Sequence, residues 1–75
     1  MNIKPLASNM TELNLNGISI LFSYETPVAG WDSDGAFRTD DWYSATTTKH
    51  INKYLGGKTV GRTVPQSHIN ELVGE

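Results

Sequence analysis

With 75 residues, a net charge of −2 and no cysteine, the chain has material for one small domain and none for a disulfide scaffold. The net charge argues against strong non-specific binding to nucleic acid, which depends on neutralising phosphates. The longest apolar run, Ile20-Leu21-Phe22, is far short of the ~20 residues that span a bilayer, so no membrane partner is expected.

Residues 1–10 show no usable periodicity and read as a loose arm, ahead of a single α+β domain over 11–75. They lack the basic start and apolar core of a signal peptide, so the expected location is the cytoplasm. From Thr11 the pattern alternates. Leu13 and Leu15 point one way, Asn16-Gly17 follows, and Ile18, Ile20, Phe22 and Tyr24 then alternate with Ser19, Leu21 and Ser23. Asn-Gly between two alternating runs specifies a hairpin, because both central residues of a type I′ turn need positive φ. Leu21 breaks the polar side of that strand, which calls for cover on both faces or for a partner over Leu21.

Pro27 cannot donate to a ladder, so the chain bends or runs along an edge there before Val28 to Trp31 resumes as a strand. Asp32-Ser33-Asp34-Gly35 makes a second turn and Ala36 to Thr39 returns. Asp40-Asp41 forms a bulge or corner, and Trp42-Tyr43 closes the strand region. The expectation is an antiparallel meander of three to four strands, with β-hairpins over 11–43.

After Tyr43 the period becomes helical. Thr47, Ile51, Tyr54 and Leu55 form one stripe while Lys49, Asn52 and Lys53 face water, giving a helix over about 46–55. Ser44 or Thr46 caps it, and Gly56-Gly57 ends it. Lys58 to Thr63 reads as a linker. A second helix over about 65–73 starts at Pro65, with Thr63 or Val64 as its cap, and carries Ile69, Leu72 and Val73. Both short helices are expected to pack on one face of the sheet. Their shared pattern, His50-Ile51-Asn52 and His68-Ile69-Asn70 each running on to Gly, is too short for a structural repeat.

Motifs with a chemical reading are few. Asp32-Ser33-Asp34-Gly35 lacks the acidic twelfth position of a calcium loop, where Tyr43 stands. His50 and His68 have no companions for a tetrahedral zinc site, so neither metal nor cofactor is expected. Thr46 and Thr47 lie within a turn of His50, but neighbouring helix positions do not supply nucleophile, base, orienter and oxyanion hole together. Ser44, Thr46, Thr47 and His50 are therefore read as a structural cap, and the chain as a non-enzyme. Charge is uneven: residues 1–41 carry about −4 and residues 42–75 about +2. Attraction between two parts of the domain explains that split as well as a partner does.

Phe22–Ala29 (FSYETPVA), Phe37–Thr39 and Tyr43–Leu55 (YSATTTKHINKYL) carry a resemblance. The chain resembles a family of small proteins from phages and mobile elements that share an "SY-x-TPVA" strand followed by "S-x-TT-x-x-HI-x-K". That family has no settled activity. The resemblance implies an accessory protein working in a bacterial cytoplasm, and it transfers no catalytic residue. Residues 1–11 and 58–75 fall outside it.

Two binding readings follow. The first is docking on a host or phage protein, including inhibition of a host defence system, through Trp31, Asp32, Asp34, Asp40, Asp41 and Trp42, where tryptophans flank acids. The second is a small nucleic-acid-binding regulator using Lys49, Lys53, Lys58 and Arg62. The thin core that so short a chain can build also leaves room for a homodimer.

Overall fold

A computed structural model describes residues 2–74; Met1, within the expected arm, and Glu75 lie outside the described residues. The strands are β1 (Asn2–Ala7), β2 (Met10–Leu15), β3 (Ile18–Ser23), β4 (Thr26–Asp32), β5 (Gly35–Thr39) and β6 (Arg62–Val64). They form one sheet in chain order. Helix α1 (Ala45–Leu55) links β5 to β6, and α2 (Gln66–Leu72) follows β6. Neighbouring strands are antiparallel except β5 and β6, which run parallel because α1 carries the chain back between them. The fold is thus α+β with a mixed sheet of six strands, not a meander of three or four.

The turns follow their residue chemistry. Leu15 and Ile18 close the Asn16-Gly17 hairpin, whose central residues have φ of 52° and 81°. In the second turn Asp32 Oδ1 accepts from the Asp34 amide at 2.9 Å, and Gly35 takes a φ of 107°. Tyr24, expected to continue the alternation, instead sits in the β3–β4 turn at a φ of 58°.

The expected loose arm is the edge strand β1, which pairs Ile3 with Leu13 and Lys4 with Glu12. Pro5 interrupts the strand's own signal, and the pairing comes from β2. At the other edge, the expected linker includes β6, whose Arg62, Thr63 and Val64 pair with Phe37, Arg38 and Thr39. Thr63 and Val64 therefore do not cap α2. Pro65 takes the cap position, without a side-chain hydrogen bond.

The helices lie on opposite faces, not one. Ile20 and Leu21 are adjacent on β3 and so point to opposite sides of the sheet. Leu21 packs with Val28, Ala29, Ile51 and Leu55 under α1. Ile20 packs with Phe37, Val64 and Ile69 under α2. A bulge in β4 turns both Val28 and Ala29 toward α1 and accommodates Pro27 inside the sheet. On the α2 face Gly30 makes room for Phe37: a Cβ there would stand 2.6 Å from Phe37 Cζ and collide with the Ser19 carbonyl oxygen.

Strand β5 ends at Thr39, so Trp42-Tyr43 belongs to a loop and not to the sheet. Ser44 caps α1, accepting from the Thr47 amide at 3.1 Å, and Gly56 ends the helix at a φ of 94°. Arg38 ties the far end of α1 to the sheet. It donates to Asn52 Oδ1 (3.0 Å), the Gly57 carbonyl (2.8 Å) and the Val60 carbonyl (3.0 Å).

Candidate functional site

The Ser44–His50 motif is organised by a residue outside it. Ser23, 2% exposed on β3, lies 2.8 Å from His50 Nδ1 and 3.1 Å from Thr47 Oγ1. Ser44 Oγ donates to Thr47 Oγ1 at 3.2 Å. With His50 accepting at Nδ1, the protons run one way: Ser44 to Thr47, Thr47 to Ser23, Ser23 to His50. The chain satisfies buried hydroxyls and locks α1 to β3. Thr46 is exposed, one position outside this network. The Tyr24 ring lies beside that of His50, tilted by 43° at a centroid distance of 6.0 Å. Ser23 is too deeply buried in this arrangement to meet a substrate.

The acid and tryptophan set divides between the two ends of β5, which spans about 17 Å at 3.3 Å per residue. Trp31, Asp32 and Asp34 lie at the β4–β5 turn; Asp40, Asp41 and Trp42 lie in the β5–α1 loop. Asp32 is committed to Arg62 at 2.7 Å, and that guanidinium holds its carboxyl below the usual carboxylate range. Trp42 is 74% exposed. Beside it Tyr43 has its phenol pushed up by burial and then by Asp41 and Asp40. The structure thus assembles only half of the set, and adds Tyr43 to it.

The basic set is rearranged too. Arg62 lies on the α2 face, paired with Asp32 and 5.8 Å from the centroid of the Phe37 ring. Lys49 and Lys53 are exposed on α1, and Lys58 is in the loop that Arg38 holds. Lys4, absent from the sequence reading, joins them: with Lys53 it lines a groove of about 280 Å³ that also takes in Leu6, Met10, Glu12 and Tyr54. Lys4, Lys49 and Lys53 therefore belong to the α1 side, with Lys58 in the loop that follows the helix. Glu12 on that side accepts from the Tyr54 hydroxyl at 2.6 Å.

A second groove, of about 380 Å³, opens on the α2 face over β1–β3. Ile3, Thr11, Leu13, Phe22, Tyr24 and Glu25 line it. Among the described residues no group of three or more His, Asp or Glu side chains is placed to hold a metal ion, and no helix is long and apolar enough to cross a membrane.

The model of the Family of unknown function (DUF8033) matches residues 1–73. The chain belongs to this family. The family match takes in β1 and α2, at the two ends of the chain. No curated protein and no solved structure matches.

Sequence reasoning passed over Ser23, Arg38, Lys4 and Glu12. Only Ser23 left a trace, as a small polar residue next to the polar-side anomaly at Leu21.

Proposed function

We propose that the chain is a non-enzymatic accessory protein of phage type, working in a bacterial cytoplasm by docking on a host or viral protein. Inhibition of a host defence system is one outcome of such docking. Trp42 carries the reading. A chain with so little core leaves one of its two tryptophans 74% exposed, in a loop with Asp40, Asp41 and half-exposed Tyr43. Exposed aromatics of this kind anchor interfaces, and the adjoining carboxylates favour a partner with a basic rim. The burial of Ser23 supports the non-enzymatic half of the proposal.

Capture from a bacterial lysate with three chains tests it. A partner held by the parent and by Trp31→Ala, but lost by Trp42→Ala, is the expected result. Equal capture by Trp42→Ala overturns the loop as the contact.

The gathering of Lys4, Lys49 and Lys53 on the α1 side, with Lys58 in the loop after the helix, favours a second reading, a nucleic-acid-binding regulator using these four lysines. It expects a gel shift that weakens steeply with salt and is lost in the Lys49→Ala/Lys53→Ala chain. No shift at low salt removes it.

A further inference from the structure

Six strands at a spacing of about 4.8 Å give a sheet about 24 Å wide. A packed helix needs about 10 Å of that width, so each face seats two helices. Each face carries one. On the α1 face the vacant half presents Lys4, Glu12, Asn14 and Ser19, polar side chains of which the last three hydrogen-bond to one another and to Tyr54. On the α2 face the groove over β1–β3 is lined by Ile3, which is 64% exposed, and by Leu13 and Phe22, which are half-buried against the Ile20, Phe37 and Ile69 cluster. Helix α2, with seven residues, is about 10 Å long and reaches β4 and the near side of β3.

The free edge of β1 does not offer an easy alternative. Leu15 and Ile18 close their two-residue turn as a hydrogen-bonded pair, so Leu13 and Thr11 also turn their peptides toward β3. Glu12 then bonds toward β1 and Lys4, which leaves the peptide edges of Ile3 and Pro5 facing outward. Pro5 has no N–H to give, so a strand added there loses a donor in mid-strand.

We propose that the groove over β1–β3 seats one basic amphipathic helix of a partner protein, laid beside α2. The vacant area is about 14 by 17 Å, or ~240 Å² in projection. That is well under the ~800 Å² each side of a standard interface contributes, so the face is too small to hold a second copy alone. A helix of about 11 residues has the matching length and diameter. Glu25 lines the groove and no lysine or arginine does, which selects a positive flank on the incoming helix. This surface is separate from the Trp42 loop and goes beyond the docking reading given to it.

The probes are a 14-residue helix with leucines at i, i+3, i+4 and i+7 and lysines elsewhere, the same helix with glutamates, and a scrambled lysine peptide. Amide chemical-shift titration reads both place and affinity. The leucine–lysine helix should shift Ile3, Leu13, Phe22 and Glu25 and bind at least about tenfold tighter than the scramble. Ile3→Lys should weaken it about tenfold, and Glu25→Lys should turn the preference toward the glutamate helix. Both sites are exposed, and circular dichroism checks that the two variants fold. Equal binding of all three peptides, or shifts elsewhere, overturns the proposal. So does a peptide-free dimer by light scattering that Ile3→Lys dissociates, because a second copy then fills the groove. None of these outcomes bears on Trp42→Ala, which reads the loop separately.

Discussion

The β1–β2 hairpin is paired in register from Ile3 and Leu13 to Pro5 and Thr11, yet its two faces meet different fates. Toward α1 it turns Lys4, Glu12 and Asn14, and the last two find partners: Tyr54 donates to Glu12, Asn14 Nδ2 donates to Glu12 Oε1 at 3.1 Å, and Ser19 donates to Asn14 Oδ1 at 2.7 Å. Toward α2 it turns Ile3 and Leu13, and Ile3 stays largely in water. Period-2 patterning normally puts apolar residues under cover. Here half of each face lacks a helix, and only toward α2 does that leave an apolar side chain, Ile3, in water. The lesson is that a vacancy must be judged by what lines it: equal space on the polar face signals nothing.

The sharpest way to break the comparison is to ask whether the two faces hold separate cores. Ile51, from α1, and Ile69, from α2, are buried in different clusters. Each substitution by alanine should cost about 2–4 kcal/mol, read by urea denaturation. With no shared partner, the two costs should add to within about 0.5 kcal/mol. Because a domain of this size has little stability to lose, the double variant is measured in a stabilising osmolyte such as sucrose. A coupling above about 1 kcal/mol would mean that the sheet transmits strain and that the faces form a single core.

A smaller effect tests what ties α1 to its face. Ser23→Ala removes the hydroxyl between Thr47 and His50 and leaves both polar groups short of a partner in a closed space. The expected loss is about 1–3 kcal/mol. Ser44→Ala, at the cap, should cost about 1 kcal/mol. If the ranking reversed, the cap and not the cross-link to β3 would hold the helix.

How much of this was legible depends on the range of each signal. The Asn16-Gly17 hairpin, the Asp32–Gly35 turn and the Ser44 and Gly56 ends of α1 rest on local chemistry and could be read directly. Strand β6 is three residues long and pairs with β5 only after an 11-residue helix, so no local pattern announces it. Strand β1 carries Pro5, which argues against a strand until its place at an edge is known. The opposite placement of the helices left one trace, Leu21 on a polar side. In the candidate site, the acids and tryptophans are close in sequence, but a strand between them sends the two groups to opposite ends. Ser23 and His50 are far apart in sequence, and the sheet brings them together.

The last and smallest effect belongs to the polar half of the hairpin. Burial, and then its hydrogen bond to Glu12, push the Tyr54 phenol well above its ordinary range near 10. In the folded chain the phenol therefore keeps its proton at pH values where the unfolded chain has lost it. The stabilisation is complete below about pH 10 and declines as pH rises beyond the unfolded value. Urea midpoints between pH 8 and 11 should fall more steeply for the parent than for Tyr54→Phe, which has no proton to lose at that position. Near neutrality Tyr54→Phe should cost only about 1 kcal/mol, because Glu12 keeps Asn14 Nδ2 as a donor. Parallel alkaline profiles for the two chains would mean that Tyr54 is neither buried nor held by Glu12 in solution. The α1 face of the hairpin would then be as unpartnered as the α2 face, and the contrast between the two would rest on apolarity alone.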